Sequence, residues 1–114
     1  MDFLLAAVLF TRIISKPAND LICIDLGHKA VASEMPQPRI KLIEVDNYEI
    51  MSHNEEHMVI RTNEGKRMKI GDVLYGIPYH ICPTVDRYDK VSVVRNGMVV
   101  EQWNVEARTR EITV

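Results

Sequence analysis

The sequence predicts an all-β domain, a compact barrel or sandwich of about eight mostly antiparallel strands. Three observations lead there. No segment keeps an apolar stripe at i, i+3, i+4, i+7 over three turns, so long helices are not expected. Alternation of apolar and polar residues recurs in short runs rich in Val and Ile, which is the strand period. Clusters of Gly, Pro, Asn and Asp separate these runs at short intervals. With 114 residues the chain reads as a single β domain over residues 1–114, large enough to bury an ordinary core without disulfides.

The elements follow in order. The run Phe3-Leu4-Leu5-Ala6-Ala7-Val8-Leu9-Phe10 resembles the apolar part of a secretory signal. However, Asp2 stands where a basic residue belongs, no small-residue cleavage site follows, and the run falls well below the ~20 residues needed to cross a bilayer. It is read as part of a core strand over residues 3–15, bent near Thr11-Arg12. Lys16-Pro17-Ala18-Asn19-Asp20 supplies a turn, and residues 21–25 are a continuous apolar run expected to be buried on both faces. Residues 29–33 are either extended or a single helical turn. Met35-Pro36-Gln37-Pro38 is a stiff connector, because two prolines fix φ and remove two donors.

Residues 40–45 and 48–52 alternate as strands, with Asp46-Asn47 as a tight turn between them. Residues 57–61, 68–70 and 73–77 give three more, the first two separated by the turn Asn63-Glu64-Gly65-Lys66. The polar segment 86–89 reads as a turn or short 3₁₀ piece. The strongest local signal comes last: residues 90–95 and 98–105 flank Asn96-Gly97, the pair preferred in a type I′ hairpin. Residues 110–114 offer one more edge strand.

Charge excludes some partners. Fourteen Lys and Arg stand against sixteen Asp and Glu, a net charge of −2 spread along the chain, so there is no basic field for nucleic acid or for an anionic membrane surface. Cys23 and Cys82 are too few for a disulfide scaffold and sit in different contexts, which fits a reducing, cytoplasmic compartment.

The chemistry concentrates at Pro78-Tyr79-His80-Ile81-Cys82-Pro83-Thr84. In an extended segment, residues two apart leave the backbone on one face, so His80 and Cys82 can aim at one point while the prolines stiffen the backbone around them. Imidazole and thiolate suit Zn²⁺ better than Mg²⁺ or Ca²⁺. Two protein ligands leave positions open, the condition for a catalytic rather than a structural ion. The plainer alternative is a half-buried His beside a core Cys. Glu55-Glu56-His57 is an acid and imidazole cluster in which Glu56 or His57 could move a proton or support a metal; otherwise it is a solvated strand end. Asp25 and Asp72 read as turn caps and Lys29 as a surface lysine, while Cys23, Tyr79, Tyr88 and Trp103 read as packing. No Gly-rich phosphate loop or nucleophile elbow is found.

Several blocks together resemble a known family. Asp25-Leu26-Gly27-His28-Lys29-Ala30-Val31-Ala32-Ser33-Glu34, Glu55-Glu56-His57, Gly71-Asp72, Ile77-Pro78-Tyr79-His80-Ile81-Cys82-Pro83-Thr84-Val85 and Trp103-Asn104-Val105-Glu106-Ala107-Arg108 occur in the order and spacing of the C-terminal domain of metal-activated D-threonine aldolases and D-serine dehydratases. The resemblance runs from about Phe3 to Arg108 and is most specific at His80-Ile81-Cys82-Pro83-Thr84. It implies a fold-type III pyridoxal phosphate enzyme, similar to alanine racemase, with a β domain packed over a cofactor-binding (β/α)₈ barrel. It further implies that His80 and Cys82 match the family's metal ligands, with Zn²⁺ typical beside Cys and Mn²⁺ used by relatives.

The family's barrel and Schiff-base lysine have no counterpart here, and Lys29 does not match that lysine. The chain is therefore expected to be a C-terminal module lacking its pyridoxal phosphate domain, inactive alone, with a D-amino acid as substrate and a homodimer as the assembly. Tyr79 stands where the family usually has a small or polar residue. A reading from another class is a non-catalytic β module for dimerisation or small-ligand binding.

Overall fold

The computed structural model describes residues 3–113. Among the described residues eight strands form: β1 (Leu9–Ala18), β2 (Leu21–Ile24), β3 (Ile40–Leu42), β4 (Glu49–His53), β5 (Met58–Arg61), β6 (Val73–Pro78), β7 (Lys90–Arg95) and β8 (Met98–Asn104). A single short helix, α1 (Ile81–Val85), joins β6 to β7. Every strand pair is antiparallel, and six strands form one sheet in the order β3-β6-β1-β2-β5-β4, with β7 and β8 as a separate pair. The result is an open half-barrel rather than the closed barrel or sandwich expected from sequence. Tyr48 reaches across its open side: its hydroxyl donates to the Ile40 carbonyl at 3.3 Å and accepts from the Leu42 N–H at 3.1 Å.

Alternation explains the core. Ile13, Ile22, Ile24, Ile40, Leu42, Met58 and Ile60 point to one side of the sheet and are buried, joined by Leu26, Val31, Val45, Met68 and Leu74. Each such side chain contributes about 1.5–3 kcal/mol on leaving water. β2 is fully buried at Ile22 and Ile24 but only half-buried at Leu21 and Cys23, so one face is sealed rather than two. β1 serves two partners: Leu9 to Arg12 pair with β6, and from Ile13 onward it pairs with β2 through bulges. The change of partner falls where the bend was expected.

Several local expectations give way to long-range pairing. Residues 3–8 form no strand and are exposed, with Leu4 at 97%. The opposing strand β6 ends at Pro78, which has no N–H to continue a ladder with them. β1 runs on to Ala18, so only Asn19-Asp20 turns. Strands β3 and β4 are not a hairpin about Asp46-Asn47; they lie at opposite edges of the sheet, paired with β6 and β5. Residues 68–70 form no strand: a 3₁₀ turn at Gly65–Arg67 delivers Met68 into the core as a plug. Residues 110–113 are also not a strand, and Val114 lies outside the described residues.

The hairpin β7–β8 forms as its sequence predicts, with Asn96 and Gly97 at φ 52° and 76°. Among the described residues no helix is long and apolar enough to cross a membrane.

Candidate functional site

The segment carrying His80 and Cys82 is not extended throughout. His80 is extended (φ −127°, ψ 95°) and caps α1, whereas Cys82 lies inside its first turn. Pro83 is tolerated there because the first turn's N–H groups lack helical partners in any case. The bias of a residue before proline toward extended backbone is overridden at Cys82 by tertiary contacts. The pair therefore straddles a strand-to-helix junction, and strand periodicity does not set the relative direction of the two side chains. Both are exposed.

The overriding contacts come from the loop after β2. Its start is fixed by close approach: a Cβ on Gly27 would meet the Glu55 carbonyl oxygen at 2.2 Å, so only glycine fits. His28 N–H donates to Asn54 O at 2.9 Å and Lys29 N–H to Glu55 O at 3.1 Å, while Ala30 and Val31 N–H groups fold back on Gly27 O in a single turn that starts ahead of residues 29–33, the turn being one of the two conformations open to that stretch. On its other side the loop holds α1 and the turn that follows. Tyr88 Oη donates to Ala30 O at 2.7 Å, Arg87 Nε to His28 O at 2.6 Å, and Ala32 N–H to Thr84 Oγ1 at 3.0 Å. Burial raises the Tyr88 phenol above its usual value, keeping it a donor. The i→i+3 bonds from Arg87 and Tyr88 bear out the tight turn expected over 86–89.

His80 Nδ1 contacts the carboxylate of Glu34, 46 residues away in sequence. The Glu34 backbone N–H and the His80 imidazole hold that carboxyl below the usual range. Glu56 contacts Lys29 Nζ, and this hydrogen bond and charge likewise lower the Glu56 carboxyl. Lys29 is thus a surface lysine with a partner. His57 is exposed; its N–H donates to Asn54 Oδ1 at 2.8 Å and its carbonyl accepts from Asn54 N–H at 2.9 Å, an ordinary loop closure. Among the described residues no group of three or more His, Cys, Asp or Glu side chains is poised to hold a metal ion, so Glu56 and His57 do not complete the His80–Cys82 pair.

A second imidazole pair escaped the sequence reading. His28 and His53 meet edge to face at 4.5 Å. His53 Nε2–H donates to Leu26 O at 3.0 Å, and its Nδ1 accepts from Arg39 Nη1 at 3.0 Å and Gln37 Nε2 at 3.2 Å. Burial first, then His28 and Arg39, push the His53 imidazole below its usual value. His28 Nε2 is buried without a partner among the described residues.

Of the minor assignments, Asp72 does cap its turn, accepting from Lys69 N–H at 2.8 Å, whereas Asp25 is not a local cap: it accepts from Thr11 Oγ1 at 2.5 Å and Arg12 N–H at 2.8 Å and so ties the end of β2 to β1. Cys23 is half-buried. Tyr79 and Trp103 are 63% and 55% exposed, so they do not pack a core within this chain.

Comparison with known proteins agrees with this architecture. Residues 6–94 match the family described as "Putative serine dehydratase domain", well over half of the chain. D-threonine aldolase of an Arthrobacter species is 35% identical over 107 residues, covering 93% of this chain and 26% of that protein. The chain thus spans about a quarter of the length of that relative. The crystal structure of D-threonine aldolase from Filomicrobium marinum superposes with a TM-score of 0.83 at 22% identity, over 95% of this chain and 29% of that one. Two variant structures of D-threo-3-hydroxyaspartate dehydratase, one with a histidine and one with a cysteine replaced by alanine, share the fold at a TM-score of 0.70 and 14% identity, over 85% of this chain and 30% and 31% of theirs. The chain therefore belongs to the serine dehydratase domain family and is homologous to the C-terminal domain of fold-type III pyridoxal phosphate enzymes of the D-threonine aldolase and D-serine dehydratase type.

Proposed function

We propose that this domain is the metal-bearing module of a pyridoxal phosphate-dependent lyase acting on β-hydroxy D-amino acids, by dehydration or retro-aldol cleavage, with Zn²⁺ or Mn²⁺ held by His80 and Cys82. The observation that carries this reading is His80 itself: it caps α1 inside the family-matched residues, its Nδ1 engaged by a carboxylate and its other nitrogen left for a ligand. Support comes also from the dehydratase of the same fold, whose replaced histidine and cysteine lie two positions apart and whose cysteine variant is described in a metal-free form.

The donor set fits a borderline divalent cation. Imidazole nitrogen and thiolate sulfur are the ligand types such ions prefer, and the exposure of both residues leaves room for water and a substrate hydroxyl. A cation bound there would supply Lewis acidity toward the substrate β-hydroxyl, easing its departure in dehydration or its deprotonation in retro-aldol cleavage. Cys82 would hold such an ion as its thiolate. Glu56, kept ionised by Lys29, and His57 are the acid–base candidates on the neighbouring loop, His57 to take or return a proton and Glu56 to accept hydrogen bonds. The Lys29 ammonium is paired with the Glu56 carboxylate. We assign the cofactor to a barrel domain outside this sequence and the complete enzyme to a homodimer.

Metal analysis tests the reading directly. The purified chain is expected to hold one zinc, and His80→Ala and Cys82→Ala each to fall to background; wild-type metal content in both variants would overturn it. With pyridoxal phosphate and zinc added, the chain alone is expected to release neither pyruvate from D-serine nor glycine from D-threonine. A second reading, a non-catalytic module for dimerisation or small-ligand binding, draws on β8, where Met98, Val99, Val100 and Trp103 are all more than half exposed. Self-association without zinc binding would favour it.

A further inference from the structure

Packing gives Glu34 no reason to lie beside His80. The two side chains are 43% and 50% exposed, and an exposed pair of this kind contributes little to stability. Their backbones are nevertheless brought together at one buried atom. Thr84 Oγ1, 1% exposed as a residue, donates to His80 O at 2.7 Å and accepts from Ala32 N–H at 3.0 Å. Glu34 follows two residues after Ala32, and His80 is the cap of the helix that contains Thr84. The meeting of carboxylate and imidazole is thus set by the buried hydroxyl between their main chains, with the Tyr88–Ala30 and Arg87–His28 hydrogen bonds tying the same two segments further along.

A carboxylate can only accept, so in the neutral ring the contact places the imidazole proton on Nδ1 and leaves the lone pair on Nε2. We propose that Glu34 is a positioning residue that holds His80 in the Nδ1–H tautomer and in the ring orientation that presents Nε2 to a divalent cation. This rests on the reading of His80 and Cys82 as metal ligands. The carboxylate does two things at that ligand. It removes the rotational and tautomeric freedom that binding would otherwise have to suppress, and it offsets the positive charge that a bound cation induces on the ring, making Nε2 a stronger donor.

The test has a metal-free and a metal-bound part. Long-range ¹⁵N–¹H correlation spectra of the metal-free chain, which distinguish the two neutral tautomers from the imidazolium, are expected to show neutral His80 as the Nδ1–H tautomer, and Glu34→Ala to shift it toward Nε2–H. A wild-type His80 protonated on Nε2 would overturn the proposal. Zinc affinity by competition with a chromophoric chelator is expected to weaken about 10–100-fold in Glu34→Ala, with Glu34→Gln in between because its amide oxygen still accepts from Nδ1. If His80→Ala loses zinc while Glu34→Ala binds within about twofold of wild type, Glu34 is not a positioning residue and the metal reading survives. If His80→Ala binds zinc as wild type does, the metal reading fails, and with it the role assigned to Glu34, whatever the tautomer. Circular dichroism of the Gln variant, which keeps the shape of the side chain, separates either result from misfolding.

Discussion

The six-stranded sheet and the hairpin β7–β8 share one kind of sequence, alternating and β-branched, and differ in what holds them. In the sheet, Ile22, Ile24, Ile40, Met58 and Ile60 are wholly buried. In the hairpin no residue is, and every residue of β8 is exposed. The sheet is stable because its apolar face is sealed; the hairpin stands on a turn with positive φ at Asn96 and Gly97 and on its own ladder, tied at its base by Val105 N–H to Asp89 O at 2.9 Å. Isolated two-stranded hairpins are marginal in water. Local pattern thus specifies a strand, while burial decides how much that strand stabilises the domain.

The largest effect that could break this contrast is a matched pair of truncations read by urea unfolding. Ile60→Ala in β5 is expected to cost about 2–5 kcal/mol through lost burial and a cavity. Val99→Ala in β8 is expected to change stability by less than about 0.5 kcal/mol. A comparable loss at Val99 would mean that the hairpin is covered in solution, by a second copy or another domain.

Between the extremes lies the layer that carries the site, where polar ties replace apolar area. Thr84→Val keeps the shape but leaves the His80 carbonyl and the Ala32 N–H without their shared partner. It is expected to cost about 1–3 kcal/mol in urea and to weaken zinc binding by the chain as well. Loss of stability with unchanged metal affinity would separate the fold of this layer from its proposed chemistry.

The smallest effect sharpens the sheet's own edge. The His53 imidazole in β4 is held below its ordinary value of 6.5 by burial, then by His28 and Arg39. The unfolded chain therefore takes up a proton before the folded one does, so this contribution is complete above pH 6.5 and is lost as pH falls below it toward the folded value. Melting temperature is expected to drop by about 1–3 °C across that window, before the lowered carboxylates of Glu34, Glu56 and Glu64 begin to protonate below their ordinary 4.5. A His53→Gln variant should flatten the drop; an unchanged slope would place its origin elsewhere.

What the amino-acid sequence determined by itself was local. Among the described residues, periodicity marked β2 to β8 to within about three residues but began β1 six residues too early and also proposed strands at 68–70 and 110–114, while Asn96-Gly97 determined its hairpin outright, because φ > 0 at two adjacent residues is a property of those residues alone. His80 and Cys82 were legible as ligand types for the same reason. Pairing was not: β3 and β4 follow one another in sequence yet lie at opposite edges, since a strand's neighbour depends on which apolar faces can be sealed together. The helix at Ile81–Val85 was hidden as well, because the residue before Pro83 favours extended backbone until Thr84 and the loop over Gly27 to Glu34 outweigh it. The partner of His80 was out of reach of any local pattern. Glu34 lies 46 residues away, and a buried hydroxyl that bonds both main chains, with the Tyr88 and Arg87 ties beside it, brings the carboxylate to the imidazole.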